Sequence, residues 1–271
     1  MPIESQSDRV EVVLVSPRNP LNIGAVARAM ANFGFARLSV VEPYEPHWRE
    51  AQSAVGAESL LENASKTASL ADAVSGCTLV AGTGTLTYRK PDQPVVALPE
   101  LAPILRRELE RGGRVALVFG PEKHGLTRED LSHCHLLVEI PTDPHQPSMN
   151  LGQAAAVCLY EVAVRALSPR GFSSPGEAIQ EQSLEGIDDP EESAAKSDQL
   201  DRLEEAIDAT MHATGYPAAS MQAGRRRDLR VLLRRLALLE RETRHILGLF
   251  HRILRKLGHS EASSHNGDHT E

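Results

Sequence analysis

Short runs of apolar, mostly β-branched residues set the first constraint on this chain. They are Val10–Val15 (VEVVLV), Leu38–Val41 (LSVV), Thr78–Ala81 (TLVA), Val115–Phe119 (VALVF) and Leu136–Ile140 (LLVEI). Apolar residues fall on both faces of each run rather than alternating strictly with polar ones, so each predicts a strand buried on both faces. Segments with helical spacing separate them: NIGAVARAMANFGF with Gly34 as its stop, Leu70–Val74, Pro99–Arg111 ended by Gly112-Gly113, and Leu151–Leu167. The order predicts an α/β fold, a parallel sheet flanked by helices. With 271 residues, 41% of them hydrophobic, the chain can build one sizeable core and a smaller second unit. Residues 1–167 read as the sheet domain. Residues 168–198, rich in Ser, Pro, Gly and acids, read as a flexible linker. A basic helical domain is expected over 199–258 and a disordered tail over 259–271.

In open parallel sheets, ligands bind beyond the carboxyl ends of the strands. The strand exits here are unusually polar and glycine-rich: SPRNPLNIGAVAR, GTGTLTYRKP, GPEKHGL and PTDPHQPSMN. Common site patterns fail. GTGTLT lacks a third glycine and a following helix, and neither GxxxxGK[ST] nor GxSxG occurs. His133-Cys134-His135 begins a strand, where neighbouring side chains point to opposite faces, so no metal is expected there. Arg28 is a cation in a mostly apolar helix and needs a phosphate or carboxylate partner, either a ligand or the fold's own acid. Asn22 stands at the start of the same helix.

NIGAVAR, FGPEKHGL and IPxxPxxPSMNLGQA, in this order and at these separations, resemble the three signature motifs of the TrmH-type SPOUT RNA 2'-O-ribose methyltransferases. The likeness is greatest to the TrmJ branch, which acts on the tRNA anticodon loop. It covers residues 9–167 well and the helical C-terminal part more loosely. The resemblance implies a trefoil knot and a bent S-adenosylmethionine held by Thr83, Gly84, Thr85, Gly120, Ile140, Ser148, Met149 and Leu151. It also implies Arg28, Asn22, Glu122, Ser148 and Asn150 as catalytic residues. On this reading Glu122 orients Arg28, and Asn22 positions Arg28 or the ribose. The resemblance implies Arg28 as the base or base-orienting group; because arginine stays protonated, it could instead stabilise the developing alkoxide and grip the neighbouring phosphate. Ser148 and Asn150 could equally cap the helix after them. Two departures stand out: Pro121 where the branch has arginine, and Met149 where it has leucine.

The net charge of −8 hides a segregation. Residues 225–256 hold Arg225, Arg226, Arg227, Arg230, Arg234, Arg235 and further arginines, against only Asp228, Glu240 and Glu242. With Arg28 and Arg89, the residues Arg225, Arg226, Arg230 and Arg234 are the expected RNA contacts. RNA is the expected partner, tRNA before rRNA, with an inactive RNA-binding relative as the other reading. The resemblance implies a homodimer, and the apolar 151–167 helix suits burial between subunits. Cys77, Cys134 and Cys158 are scattered and form no CxxC, which predicts reduced thiols. MPIESQSDRV carries no signal pattern, and no apolar run is long enough for a span, so a cytoplasmic protein without membrane or metal is expected.

Overall fold

The computed structural model describes residues 6–44, 48, 56–85, 91–167, 193–215 and 222–264. The strands are β1 (Val10–Val15), β2 (Arg37–Val41), β3 (Ser65–Thr67), β4 (Leu79–Thr83), β5 (Val95–Ala97), β6 (Val115–Phe119) and β7 (Leu136–Glu139). They form one sheet in the order β3-β2-β1-β6-β4-β7-β5, every pair parallel. The three-residue strands β3 and β5 escape the sequence pattern because they are too short to show one; β5 begins where a long loop was expected.

Alternation along each central strand feeds two cores. Val10, Val12 and Leu14 of β1 and Leu117 and Phe119 of β6 face α1 (Pro20–Phe33), α4 (Leu98–Glu110) and α6 (Leu151–Glu161). Val13, Val15, Ala116 and Val118 face α3 (Leu70–Val74) and α5 (Arg128–Ser132), whereas α2 (Glu58–Glu62) adds Leu61 to the first core. α1 starts where Asn19 Oδ1 accepts the Leu21 N–H at 2.9 Å with Pro20 beside it, and ends at Gly34, φ 76°. The expected 151–167 helix is α-helical to Glu161 and continues as a π-turn over Val162–Ala166.

Three further helices, α7 (Ser197–Ala213), α8 (Gln222–Arg235) and α9 (Glu240–Ser264), follow. α9 runs past the expected boundary at 258 to Ser264. The last residues of the expected linker are packed: Ala195 is buried and donates to Leu238 O at 2.9 Å, and Ser197 N–H reaches Cys77 O at 2.9 Å. The rest of the linker, residues 168–192, and the tail beyond 264 lie outside the described residues.

Arginines bolt α8 to α7 and α5. Glu204 on α7 is 2% exposed and accepts from Arg226 Nε at 2.9 Å and Arg230 Nε at 2.8 Å. Arg230 also donates to Glu129, to Ser132 Oγ at 3.0 Å and towards His133 Nε2 at 3.0 Å. Arg234 donates to His133 O at 3.0 Å and to Asp201 Oδ1 at 2.9 Å. Accepting a hydrogen bond from Arg230 at Nε2 requires neutral His133. Burial first, then Arg230 and Arg234, push its pKa down to about 3.

Two predictions follow from this buried network. Glu204→Gln leaves Arg230 buried with its main counter-charge gone, and should cost about 3 kcal/mol in urea unfolding. His133 is neutral when folded, whereas in the unfolded chain it titrates near 6.5. The unfolded state therefore binds the extra proton, and stability is lost as pH falls from about 6.5 towards 3. Between pH 6.5 and 5, above the range of ordinary carboxylates, the wild type should lose about 1.5 kcal/mol more than His133→Asn, from about 1.4 kcal/mol per pH unit.

Candidate active site

The carboxyl ends of β4, β6 and β7 open into one cleft. It is lined by Thr83, Gly84, Thr85, Phe119, Gly120, Pro121, Glu122, Gly125, Ile140, Pro147, Ser148, Met149, Leu151 and Ala154. All eight residues expected to hold the cofactor are on this wall. Side-chain hydrogen bonds fix its shape. Thr83 Oγ1 donates to Val118 O at 2.9 Å, tying β4 to β6. Thr85 Oγ1 and Thr142 Oγ1 both donate to Pro147 O, at 3.0 and 3.2 Å, clamping the loop that carries Ser148 and Met149.

The turn after β6 folds back on itself, with Gly125 N–H bonded to Pro121 O at 2.8 Å. Gly125 has φ 63°, and a Cβ on Gly120 would lie 2.3 Å from Leu126 N. Glycine at 120 is thus required by the turn's own backbone rather than only by a ligand.

Glu122 sits at the tip of that turn. Its Oε1 accepts from Asn22 Nδ2 at 3.0 Å and Asn19 N at 3.1 Å, and its Oε2 accepts from Arg18 N at 3.3 Å. Asn22 Oδ1 in turn accepts from Asn150 Nδ2 at 2.9 Å. Asn150 Oδ1 caps α6 through Gly152 N at 2.9 Å and Gln153 N at 3.4 Å. One unbroken chain of hydrogen bonds, Glu122–Asn22–Asn150, joins the three sequence motifs. Helices α1 and α6 touch beside it, where a Cβ on Gly152 would lie 2.6 Å from Ala25 Cβ. Burial opposes ionisation of Glu122, but the bonds from Asn22 and from the N–H groups of Glu122, Asn19 and Arg18 outweigh it and hold the carboxyl below its usual range.

These contacts correct the expected roles. Glu122 does not orient Arg28, and Asn22 is bonded to Glu122 and Asn150 instead. Arg28 is exposed on α1, outside the residues lining the cleft, and its guanidinium lies against Gly56: a Cβ there would meet Nη1 at 2.5 Å. Ser148 lines the cleft and is exposed, while the cap of α6 is Asn150 alone.

Two of the expected RNA contacts, Arg230 and Arg234, are corrected too. Arg230 and Arg234 are 9% and 2% exposed, and together with Arg226 they are engaged by carboxylates of α7. Arg225 is half-buried on α8, and Arg89 lies outside the described residues. His133-Cys134-His135 is dispersed: His133 meets Arg230, Cys134 Sγ meets Asp130 O at 3.6 Å, and His135 Nδ1 accepts the Val80 N–H at 3.1 Å. Among the described residues no helix is long and apolar enough to cross a membrane.

Sequence reasoning missed Arg18 and Tyr44. Arg18 follows β1 in SPRNP, one residue before the cap of α1, and its guanidinium stands over the Tyr44 ring, 5.9 Å from the centroid. A cation placed at a strand exit was the available signal.

A parallel sheet of this order, with a cleft lined by the loops beyond three strand ends, is the architecture of a methylase, and the comparisons agree. The SpoU rRNA Methylase family matches residues 9–160, and the chain belongs to that family. It is 40% identical over 178 residues to the tRNA (cytidine/uridine/adenosine-2'-O-)-methyltransferase TrmJ of Pseudomonas aeruginosa, covering 65% of this chain and 69% of that protein. It is 33% identical to the tRNA (cytidine/uridine-2'-O-)-methyltransferase TrmJ of Pectobacterium atrosepticum, covering 77% and 81%. Among solved structures, TrmJ from Z. mobilis ZM4 aligns with a TM-score of 0.74 at 26% identity, covering 90% of this chain and 98% of that one.

Asn150 offers a clean separation of roles. Asn150→Asp keeps the oxygen that caps α6 but loses the Nδ2 donor and sets a carboxylate against Asn22 Oδ1. Its unfolding free energy should stay within about 1 kcal/mol of wild type, while methyl-transfer turnover falls at least roughly ten-fold, equivalent to about 1.4 kcal/mol of barrier. Paired urea melts and turnover assays read both.

Proposed function

We propose that this protein transfers a methyl group from S-adenosylmethionine to a ribose 2'-hydroxyl of tRNA, in the anticodon loop as in the TrmJ branch. The Glu122–Asn22–Asn150 chain carries this reading, because it spans all three motifs at the rim of a cleft that fits the cofactor. The wall has aliphatic surfaces for a purine, Ile140, Met149 and Leu151, beside main-chain polar groups of Gly84 and Gly120 and the exposed Ser148 hydroxyl. Bound there, S-adenosylmethionine would supply an electrophilic methyl on a sulfonium.

The chain's own residues would do the rest. Ser148 and the backbone at Gly84 and Gly120 hold the donor. Asn22 fixes the geometry between Glu122 and Asn150. Glu122, with its carboxyl held low by several N–H donors, is a weak base and acts as an organiser. The proton of the attacking hydroxyl therefore leaves to water or a neighbouring phosphate.

Arg28 completes the proposal through a second subunit. It stands outside its own cleft, on a helix that also exposes Leu21 (78%), next to α6, which exposes Val157 (40%) and Tyr160 (51%). Pairing this apolar face with a copy of itself buries those side chains and carries Arg28 to the partner's cleft, where the guanidinium stabilises alkoxide charge. The insertion of β7 between β4 and β5 supports the knot that the resemblance implies. A site of action on tRNA, and three buried cysteines whose thiols are pushed up to about 12, suit the cytoplasm.

Nucleoside mass spectrometry of tRNA and rRNA treated with purified protein and cofactor tests the reaction. A new 2'-O-methylated pyrimidine nucleoside in tRNA is expected; methylation confined to rRNA, or to a base, overturns it. Arg28→Ala and Ser148→Ala should each be nearly inactive alone. Mixed and re-equilibrated, they should recover about a quarter of wild-type activity, since half the dimers are hybrid and each hybrid has one intact site. No recovery would mean that Arg28 does not act across subunits.

A further inference from the structure

Beside the cofactor cleft, and sharing Pro121 and Glu122 with it, lies a second cavity of about 520 Å³. Its wall includes Ser16, Arg18, Asn19, Asn22, Lys123 and His124. Arg18 and Lys123 are both exposed, and they flank Glu122 from two different loops. The Arg18 main chain is fixed, since its N–H bonds to Glu122 Oε2 at 3.3 Å. Its side chain is restrained by the Tyr44 ring, 5.9 Å away. A guanidinium held over an aromatic face loses little further freedom on gripping an anion. Two carboxylates stand nearby. Glu122 is surrounded by N–H donors, and Glu42 accepts the Ser16 hydroxyl at 3.1 Å.

We propose that this cavity is a phosphate subsite. It takes the phosphodiester next to the ribose presented to the cofactor cleft, with Arg18 and Lys123 as the cationic contacts and Tyr44 as the residue that positions Arg18. The proposal rests on the methyl-transfer reading for its RNA ligand, and adds where the strand leaves the site. The two cavities share the wall at Pro121 and Glu122, so a ribose presented to the cofactor cleft has its adjacent phosphate in the neighbouring cavity. Phosphate contacts fix register and orientation without reading sequence, which suits a site that must hold the backbone while the sugar reacts.

The test is equilibrium binding of full-length protein to a transcribed tRNA across a salt series, alongside cofactor calorimetry and steady-state methylation. Each cation that meets a phosphate contributes about 0.7 to the slope of log affinity against log salt on a single strand. Arg18→Gln and Lys123→Gln should each flatten the slope by about that much and raise KM for tRNA roughly ten-fold, with cofactor affinity unchanged. Tyr44→Leu should behave like Arg18→Gln, and Tyr44→Phe should restore the wild-type slope. Wild-type slopes in both cation variants overturn the subsite, as does a changed base preference at constant slope, which would make Arg18 a stacking platform. A wild type that binds tRNA with the expected slope yet methylates no ribose sinks the reaction and leaves the subsite standing. A wild type with no salt-dependent affinity for tRNA sinks both.

Discussion

The site depends on one carboxylate meeting several N–H donors. Glu122 is at the tip of the β6 turn, and the groups that satisfy it come from the loop after β1 and the first turn of α1. Those N–H groups lie where a helix start leaves donors unsatisfied, so an anion belongs there on electrostatic grounds. Because Asn22 answers Glu122 with one end of its amide and Asn150 with the other, the position of α6 is tied to the same carboxylate. Loops from distant parts of the chain acquire one geometry through a few short bonds, and a catalytic arrangement needs that kind of rigidity.

Charge is used differently on the opposite face of the sheet. The arginines of α8 meet Glu204 and Asp201 of α7 and the carbonyl of His133. Buried ion pairs of this kind add little net stability over an apolar contact, but losing one partner is costly. Their effect is to fix where α8 sits against α5. The sequence of α8 looks like a nucleic-acid contact, yet its Arg230 and Arg234 dock the helix inside the chain.

How much was legible follows from the range of each interaction. Continuous apolar runs announced the central strands because burial on both faces is written locally, residue by residue. The edge strands Ser65–Thr67 and Val95–Ala97 were not, since three residues carry no period. The cleft wall was reachable through motif resemblance, and every residue named for it is on it. Pairings across the chain were not reachable. Nothing in the spacing of Glu122 and Arg28 tells that the carboxylate takes main-chain N–H groups, or that the guanidinium turns to Gly56. The basic count over 225–256 considered acids only within that stretch, while the neutralising Glu204 and Asp201 arrive from α7. Asn150 shows both readings holding at once: it caps a helix with its oxygen and reaches the site with its nitrogen.

The place of β7 bears on how the molecule is made. β4 and β5 emerge from the ribosome before β7, yet β7 ends up between them, with Leu137 N–H on Pro94 O at 2.8 Å. In the finished sheet β5 pairs with β7 and not with β4, so β5 reaches its native neighbour only after β7 has been made. That pairing requires contacts between residues far apart in sequence, which slows assembly. The enzyme's pocket is therefore a late product of synthesis, sealed only once the segment through Asn150 has arrived to complete it.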